Sequence, residues 1–306
     1  MPVKAFLKLI RIPNLLMIIG TMVLVKYFLF APFNIAVTLD TFEFFLLVFS
    51  MVVLAAAGNI INDIHDVNTD TINKPHKQTI GKEISEPVAY NWFIALNIWG
   101  VGIGFYLSNL VGKPSFTALF IIPSALLYLY ATQIKRTILV GNLVVSIMVG
   151  MIIVMVGIFD LYPAITSQNR DTQRVIFSIL IDYGIFGFLV NFLREMVKDQ
   201  EDIKGDYNAG MQTLPVVLGR ERTNKIIFLA ALFPIAGVLY YIYEYLYENQ
   251  LAVAYALFLI LGPLLYFLVK ITTAKTKKQY HHLSMLLKLI LAFGLVSIGL
   301  YRFILL

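Results

Sequence analysis

The chain has 306 residues, of which 59% are hydrophobic and only 14% charged, and its formal net charge is +6. A soluble domain of this size carries about a quarter charged residues, so the composition excludes a soluble globular protein and predicts a polytopic membrane protein. The chain has no cysteine, which excludes disulfides, thiolate metal sites and cysteine nucleophiles.

Apolar segments of spanning length follow one another along the whole chain. They cover residues 12–31, 42–61, 88–109, 115–132, 138–159, 175–194, 225–246, 250–270 and 283–303. We therefore predict an all-α fold of about nine transmembrane helices, with residues 1–306 forming a single membrane-embedded domain. The first segment shows no small-residue cleavage site after a short apolar region, so we expect it to be a retained span.

Basic residues are distributed unequally between the two sides of this predicted bundle. Of the 24 lysines and arginines, Lys26 and Lys288 lie within spans. Four lie on one side, namely Lys113, Arg170, Arg174 and Arg302, and the remaining eighteen lie on the other. The positive-inside rule predicts that the richer side, with the N-terminus, is cytoplasmic. We expect a multi-pass protein of the cell (inner) membrane that contacts membrane lipids, and no nucleic-acid partner.

A pattern of three aspartates occurs twice, each time directly after an apolar segment. The first acid set is Asp63, Asp66 and Asp70, and the second acid set is Asp199, Asp202 and Asp206. The spacing i, i+3, i+7 places three side chains on one face of a helix, so each set is predicted to project together from a helix end. Both sets lie on the predicted cytoplasmic side. The polar residues before them are also in register, since Asn59 corresponds to Glu195, which predicts two pseudo-repeats with motifs at 62–70 and 199–206.

Carboxylates at such spacing repel each other unless a cation lies among them. Oxygen ligands without cysteine or paired histidine favour Mg²⁺, which commonly bridges carboxylates to substrate phosphates. The predicted metal ligands are the six aspartates of the two acid sets together with Asn59 and Asn62. Basic residues near the acid sets are candidate contacts for phosphate oxygens. They are Lys74, Lys77, Arg194, Lys198 and Lys204. The sequence thus predicts a site for a diphosphate at one membrane face.

The first motif, Asn62-Asp63-x-x-Asp66-x-x-x-Asp70 followed by Asn73-Lys74-Pro75, resembles the first signature of the UbiA superfamily of intramembrane prenyltransferases. The second acid set resembles the second Asp-rich motif of that family. The resemblance implies a helical bundle around a central cavity, in which Mg²⁺ holds a prenyl diphosphate at the cytoplasmic mouth. It also implies catalytic roles for Asp63, Asp66, Asp199 and Asp202.

Further stretches resemble one branch of the family, whose members transfer a geranylgeranyl group to a glycerol ether phosphate. These stretches are Arg11-Ile12-Pro13-Asn14, Tyr130-x-x-x-x-Lys135-Arg136-Thr137 and the second motif from Arg194 to Asp206. They imply transfer of a prenyl group from its diphosphate to the hydroxyl of a glycerol-1-phosphate ether, with release of diphosphate. One departure is that Lys74 and Lys77 stand where many relatives have arginine, which costs a bidentate phosphate contact.

The acceptor and the surroundings of the reacting carbon stay open at this point. An aromatic quinone precursor of the 4-hydroxybenzoate, homogentisate or dihydroxynaphthoate type is the alternative acceptor. Lys135, Arg136 and Arg220 are the candidate clamp for the anionic group of either acceptor. Tyr128, Tyr130 and Phe192 are the candidate π faces for an allylic cation.

Two alternative functions use aspartates in other ways. A secondary transporter would use them as ion-coupling sites, but such sites usually lie near the midplane, whereas these acids lie at one face. A CDP-alcohol phosphotransferase would need a different Asp-rich signature, which the sequence does not contain. Within the spans, Lys26 and Asp182 lie at comparable predicted depth, which favours a buried ion pair between them or a neutral Asp182.

Overall fold

The computed structural model describes residues 3–73 and 78–302. In these ranges the chain is almost entirely helical, and nine helices are long and apolar enough to cross a membrane. In chain order they are α1 (Ile12–Phe33), α2 (Thr41–His65), α3 (Glu86–Leu110), α4 (Pro114–Thr132), α5 (Val140–Ala164), α6 (Arg170–Asn208), α7 (Arg220–Leu246), α8 (Gln250–Thr273) and α9 (Lys277–Leu300). The predicted all-α membrane fold is confirmed, and most predicted spans differ from these helices by only a few residues.

Helix starts follow from local capping chemistry. At α2, Asp40 accepts the backbone N–H of Glu43 at 2.8 Å, and the Glu43 carboxylate accepts the N–H of Asp40 at 2.8 Å. Thr276 and Gln279 form the same reciprocal arrangement at α9. Each capping box satisfies backbone donors that a helix start otherwise leaves unpaired, which explains why the helices begin at these residues.

The helices pack into a closed bundle. Helix α1 packs on α2, α5 and α9, and α2 also packs on α3 and α4. Helix α4 packs on α5, and α6 packs on α5, α7 and α9. Helix α8 packs on α7 and α9. The amino-terminal and carboxy-terminal halves are in contact at two places, where α5 packs on α6 and where α9 packs on α1. The ends of α2 and α6, where the acid sets occur, thereby belong to one assembly.

The contact between α5 and α6 depends on two glycines that face each other. A Cβ atom on Gly150 would lie 2.6 Å from the carbonyl oxygen of Gly184, and one on Gly184 would lie 3.0 Å from the carbonyl oxygen of Gly150. Small residues at helix crossings let backbones approach closely within a membrane. This close approach sets the position of α6 and therefore of the second acid set.

Lys26 forms its buried ion pair with Asp160, and the expected pairing with Asp182 is wrong. The Lys26 ammonium lies 2.9 Å from the Asp160 carboxylate and donates to the carbonyl of Leu39 at 2.6 Å. The same carboxylate accepts the N–H of Leu39 at 2.9 Å. Both partners lie in π-helical stretches, Val25–Phe30 and Gly157–Leu161, whose wider turns shift the side-chain register that a regular helix would give.

Asp182 lies elsewhere, at a cavity of about 230 Å³ between the outer parts of α6 to α9. Tyr241, Tyr245 and Tyr301 line the same cavity. Seventeen residues separate Asp182 from Asp199 along α6, which is about 25 Å of helix. Asp182 is thus remote from both acid sets.

Candidate active site

The first acid set is divided between two helices. The backbone N–H of Asp66 still donates to the carbonyl of Asn62 at 2.9 Å, but Asp66 itself is no longer helical. The chain then forms the short helix Val67–Asn73, which carries Asp70. The expectation that one continuous helix face presents the first set is therefore wrong, because α2 ends between Asp63 and Asp70.

The second acid set lies on one continuous helix. The 39 residues of α6 span about 58 Å, nearly twice the thickness of a hydrocarbon core of about 30 Å. The helix continues beyond the predicted end at residue 194 and includes Asp199, Asp202 and Asp206. These three carboxylates therefore share a helix face, as their spacing predicted.

Asn73 connects the two motifs directly. Its side-chain amide donates to the backbone carbonyl of Asp202 at 2.9 Å, and its side-chain oxygen accepts the backbone N–H of Gly205 at 3.0 Å. A Cβ atom at Gly205 would overlap the Asn73 carboxamide. Lys277, at the start of α9, donates to the backbone carbonyl of Asn73 at 2.6 Å. The short helix Val67–Asn73 is thereby fixed against α6, and the two acid sets converge.

Arg11 binds the first acid set from the start of α1. Its guanidinium donates to Asp63 at 2.5 Å. Burial lowers the pKa of the Arg11 guanidinium, but the carboxylates of Asp63, Asp66 and Asp70 outweigh burial and raise this pKa above its ordinary value. The backbone of Arg11 is left-handed, with φ of 58°, a conformation that costs most residues about 1–2 kcal/mol. Such backbone strain is commonly found at functional sites.

Lys135 binds the same set from the turn after α4. Its ammonium donates to one oxygen of Asp66 at 2.6 Å, and the side-chain amide of Asn62 donates to the other at 2.6 Å. The turn that carries Lys135 packs on Gly141, where a Cβ atom would lie 3.0 Å from the Lys135 Cα and 3.2 Å from the Tyr130 ring. A glycine at the start of α5 thus lets Lys135 and Tyr130 approach the first acid set.

The second acid set has its own polar partners. Asn142 of α5 donates to Asp199 at 2.9 Å. Glu195, one turn before Asp199, pairs with Arg194 at 3.2 Å and with Lys198 at 2.9 Å. Both predicted phosphate-binding bases of α6 are therefore held in position by a buried carboxylate, which orients them.

Tyr130 lies where these groups meet. It is only partly accessible, and its hydroxyl is within electrostatic reach of Asp66 in the first acid set and of Glu195 and Asp199 on α6. The charge of Arg11 also acts on it. Tyr130 thus lies near charged groups of both halves of the site.

Several predicted site residues lie elsewhere or have other partners. Tyr128 is 45% exposed and stacks on Phe93, on the outside of α4. The Arg220 guanidinium donates to the carbonyl of Lys275 at 2.5 Å and lies over the ring of Tyr280, so it braces α7 against α9. Phe192 stacks on Phe188, and the carbonyl of Arg136 accepts the N–H of Gln212 at 2.8 Å. The side-chain amide of Asn59 donates to the carbonyl of Ile10 at 3.0 Å. Lys74 and Lys77 lie outside the described residues.

The donor atoms of the site suit Mg²⁺ better than any softer metal. They are carboxylate and amide oxygens, and the side-chain oxygen of Asn62 is buried without a hydrogen-bond donor. In residues 3–73 and 78–302, no three His, Asp or Glu side chains approach closely enough to share an ion. Arg11 and Lys135 instead contact Asp63 and Asp66, two of the predicted metal ligands.

Three residues of the site, Asn73, Arg11 and Glu195, were not predicted as site residues from the sequence. Asn73 was noted only as part of a motif, Arg11 as a marker of topology and of a family branch, and Glu195 as a sign of the repeat. Stronger signals were present, because Asn73 and Arg11 both lie in stretches that resemble family motifs, and Glu195 lies between two bases. An acid between two bases on one helix predicts an ion pair that fixes both.

Comparison with protein families gives a match over nearly the whole chain. The model of the UbiA prenyltransferase family matches residues 17–302. The digeranylgeranylglyceryl phosphate synthase of Methanothermobacter thermautotrophicus is 35% identical over 225 residues, which are 71% of this chain and 73% of the relative. The synthase of the same name from Methanoculleus marisnigri is 30% identical over 239 residues, 78% of this chain and 77% of the relative.

Solved structures share the fold. One, of a digeranylgeranylglyceryl phosphate synthase in membranes, has a TM-score of 0.67 at 21% identity and covers 97% of this chain and 98% of its own. Another, of a UbiA homolog from Archaeoglobus fulgidus bound to DMAPP and Mg²⁺, has a TM-score of 0.57 at 15% identity, with coverage of 96% and 98%. At these identities the likeness establishes the common architecture.

Proposed function

Because the chain belongs to the UbiA prenyltransferase family, and is therefore a multi-pass membrane enzyme that transfers prenyl groups, we propose that its substrates are geranylgeranyl diphosphate and a glycerol-1-phosphate ether. The free hydroxyl of geranylgeranylglyceryl phosphate attacks the first carbon of the prenyl chain, diphosphate leaves with the bonding electron pair, and the hydroxyl proton passes to the departing diphosphate. The observation that carries this proposal is the convergence of both acid sets, held together by Asn73, beside the bases of α1, α4 and α6.

The acid sets would hold Mg²⁺ through Asp63, Asp66, Asp70, Asp199, Asp202 and Asp206, with the amide oxygens of Asn59 and Asn62 nearby. Bound there, Mg²⁺ neutralises negative charge on the departing diphosphate. Arg11 and Lys135 release the acids of the first set and turn to phosphate oxygens. Lys198, together with Lys74 and Lys77, adds positive charge at the same group, which stabilises the transition state. Arg194, which lies further from the acid sets along α6, is a contact for the second substrate.

Tyr130 presents its ring and hydroxyl where the allylic carbon gains positive charge, and an aromatic face stabilises such a cation. The apolar walls of the bundle keep water from this carbon. Arg136, next to Lys135 on the turn after α4, adds positive charge beside the diphosphate. We further propose that the site opens to the cytoplasm, that the N-terminus is on the same side, and that residues 1–306 form one domain of two pseudo-repeats.

The assay that tests this function uses purified enzyme, Mg²⁺ and radiolabelled geranylgeranyl diphosphate. Geranylgeranylglyceryl phosphate and 4-hydroxybenzoate are offered as separate acceptors. A labelled diether phosphate is the expected product. A labelled prenyl-benzoate in its place would replace the lipid acceptor by an aromatic one and leave the role of the acid sets intact.

The acid sets are tested by Asp66→Ala and Asp202→Ala, one change in each set. Both should abolish turnover, because each removes a ligand for the ion that balances the diphosphate charge. Asp171→Ala is the matched control, since Asp171 is exposed in the first turn of α6. Thermal unfolding in detergent shows that the variants fold. Retained activity in both variants, or full turnover in excess EDTA, would contradict the metal site.

A further inference from the structure

Two lysines, Lys26 and Lys288, lie in the middle of apolar spans, and in the described residues only Lys26 forms an ion pair with an acid. Lys26 in α1 is neutralised by Asp160, which is fully buried beside it. A charge within a membrane helix is costly unless it is paired or faces a polar cavity. The ion pair of Lys26 with Asp160 satisfies this requirement. The surroundings of Lys288 are compared with it below.

Lys288 in α9 faces the interior of the bundle. Ser284, Leu287 and Leu291 are buried, and these positions flank Lys288 on one helix face. The Lys288 ammonium donates to the side-chain oxygen of Asn14 in α1 at 3.0 Å. This partner is a neutral amide, and within the described parts of the chain no carboxylate forms an ion pair with Lys288.

The surroundings of Lys288 are positively charged. The charges of Arg194 and Lys198 both act on its ammonium, and these two residues share the single carboxylate of Glu195. Lys198 also lies near Asp199, whereas Lys288 has, within the part of the chain that the structure describes, only the neutral Asn14 as its hydrogen-bond partner. The Arg194 Nε atom is in addition buried without a hydrogen-bond partner in the described residues. A buried donor without a partner, beside a second cation without an acid, favours binding of an anion from outside the chain.

The place of this cluster relative to the acid sets indicates which anion it binds. Arg194 precedes Asp199 by five residues and Asp202 by eight on α6, so its Cα lies about 8–12 Å from theirs along the helix, on the side towards the apolar span. A diphosphate bound at the acid sets directs its prenyl chain to that side. The attacking hydroxyl must come within about 3–3.5 Å of the first prenyl carbon, so the head of the acceptor lies on the membrane side of the diphosphate.

We propose that Lys288 and Asn14, with Arg194, bind the phosphate of the acceptor and thereby select a phosphorylated lipid. The inference rests on the proposed function, since it assigns the acceptor subsite of that reaction. A phosphate monoester carries about −1.5 to −2 charge at neutral pH, which suits the positive charges of Lys288 and Arg194. The Lys288 ammonium exchanges the Asn14 oxygen for a phosphate oxygen, and the Asn14 amide N–H₂ becomes available as a second donor.

The first test is Lys288→Gln, measured by steady-state kinetics with both substrates varied. The Michaelis constant for geranylgeranylglyceryl phosphate should rise about tenfold or more, because a desolvated charge contact is lost. The Michaelis constant for geranylgeranyl diphosphate should stay the same, and Lys288→Arg should restore acceptor binding in part. Lys278→Gln is the matched control, since Lys278 is exposed on the same helix.

A second variant keeps the lysine and adds the missing acid. Asn14→Asp should pair with Lys288 as Asp160 pairs with Lys26, so the protein should unfold at the same or a higher temperature. The new carboxylate should nevertheless repel the acceptor phosphate and raise its Michaelis constant. A merely structural Lys288 would predict the same stability but an unchanged Michaelis constant for the acceptor.

Discrimination between acceptors completes the test. Wild-type enzyme should prefer geranylgeranylglyceryl phosphate to unphosphorylated geranylgeranylglycerol, and both variants should lose most of that preference. Equal preference and equal Michaelis constants in wild type, Lys288→Gln and Asn14→Asp would overturn the subsite. Failure of the wild type to use geranylgeranylglyceryl phosphate at all would instead overturn the proposed function.

Discussion

Arg11 occupies a carboxylate that the proposed function assigns to a metal ion. Its left-handed backbone directs the guanidinium at Asp63. A charge-assisted contact of this kind is among the stronger hydrogen bonds in proteins. We propose that Arg11 pairs with Asp63 in the absence of ligand and exchanges it for a phosphate oxygen when substrate and metal bind. In this proposal Arg11 takes the place of the metal ion before binding and contacts the substrate afterwards.

We predict that Arg11→Asn raises the Michaelis constant for geranylgeranyl diphosphate about tenfold, since a hydrogen bond to a charged group contributes about 1.5–3 kcal/mol. Asparagine tolerates the left-handed backbone, so the thermal unfolding temperature should change little. Lys8→Asn is the control, because Lys8 makes only an exposed contact of 3.5 Å with Glu83. An unchanged Michaelis constant would mean that the guanidinium stays on Asp63 during turnover.

At the scale of helices, the contact between the short helix Val67–Asn73 and α6 sets the distance between the acid sets. Asn73 bonds to α6 through both atoms of its amide, and only glycine at position 205 leaves room for it. The position of the first acid set depends on this contact, because α2 ends before Asp70. A change at Gly205 therefore moves one set relative to the other without touching any acid.

We predict that Gly205→Ala lowers turnover by up to about 10²-fold, since displacement of a catalytic group by about 1 Å has effects of this size. Gly187→Ala in the same helix is the control, because a Cβ atom there meets no neighbour and alanine favours the helix. The double variant Gly205→Ala with Asn73→Ala removes the overlap. Its turnover should be no lower than that of the slower single variant. Strictly additive losses in this cycle would show that the two residues do not act together.

Element positions could be predicted from the sequence much better than pairings between elements. Apolar length fixes where each span lies, and the spacing of Asp199, Asp202 and Asp206 correctly predicted one helix face. The same spacing failed at Asp66, where α2 ends. Depth along a span assigned Asp182 to Lys26, whereas Asp160 is the partner, because depth contains no information on helix rotation or on which spans are neighbours.

In the molecule as a whole, the acid sets of the proposed active site and the buried Lys26–Asp160 ion pair lie at opposite ends of the bundle. The acid sets lie where α1 and α5 begin and α2 ends, and the pair of Lys26 with Asp160 lies where α1 and α5 end. Asp160 also accepts the N–H of Leu39, so it ties both helices to the connection before α2. Stability and catalysis can thus be perturbed independently.

We predict that Lys26→Met lowers the free energy of unfolding by about 3–5 kcal/mol, because it leaves Asp160 buried without its cation. The double variant Lys26→Met with Asp160→Asn should recover much of this loss, since asparagine carries no charge and still accepts the Leu39 N–H. Thermal or denaturant unfolding in detergent measures the stability, and kinetics at a permissive temperature should give unchanged Michaelis constants for both substrates. Because the pair lies at the opposite end from the acid sets, a change in either Michaelis constant would show that the two ends are coupled through α1 or α5.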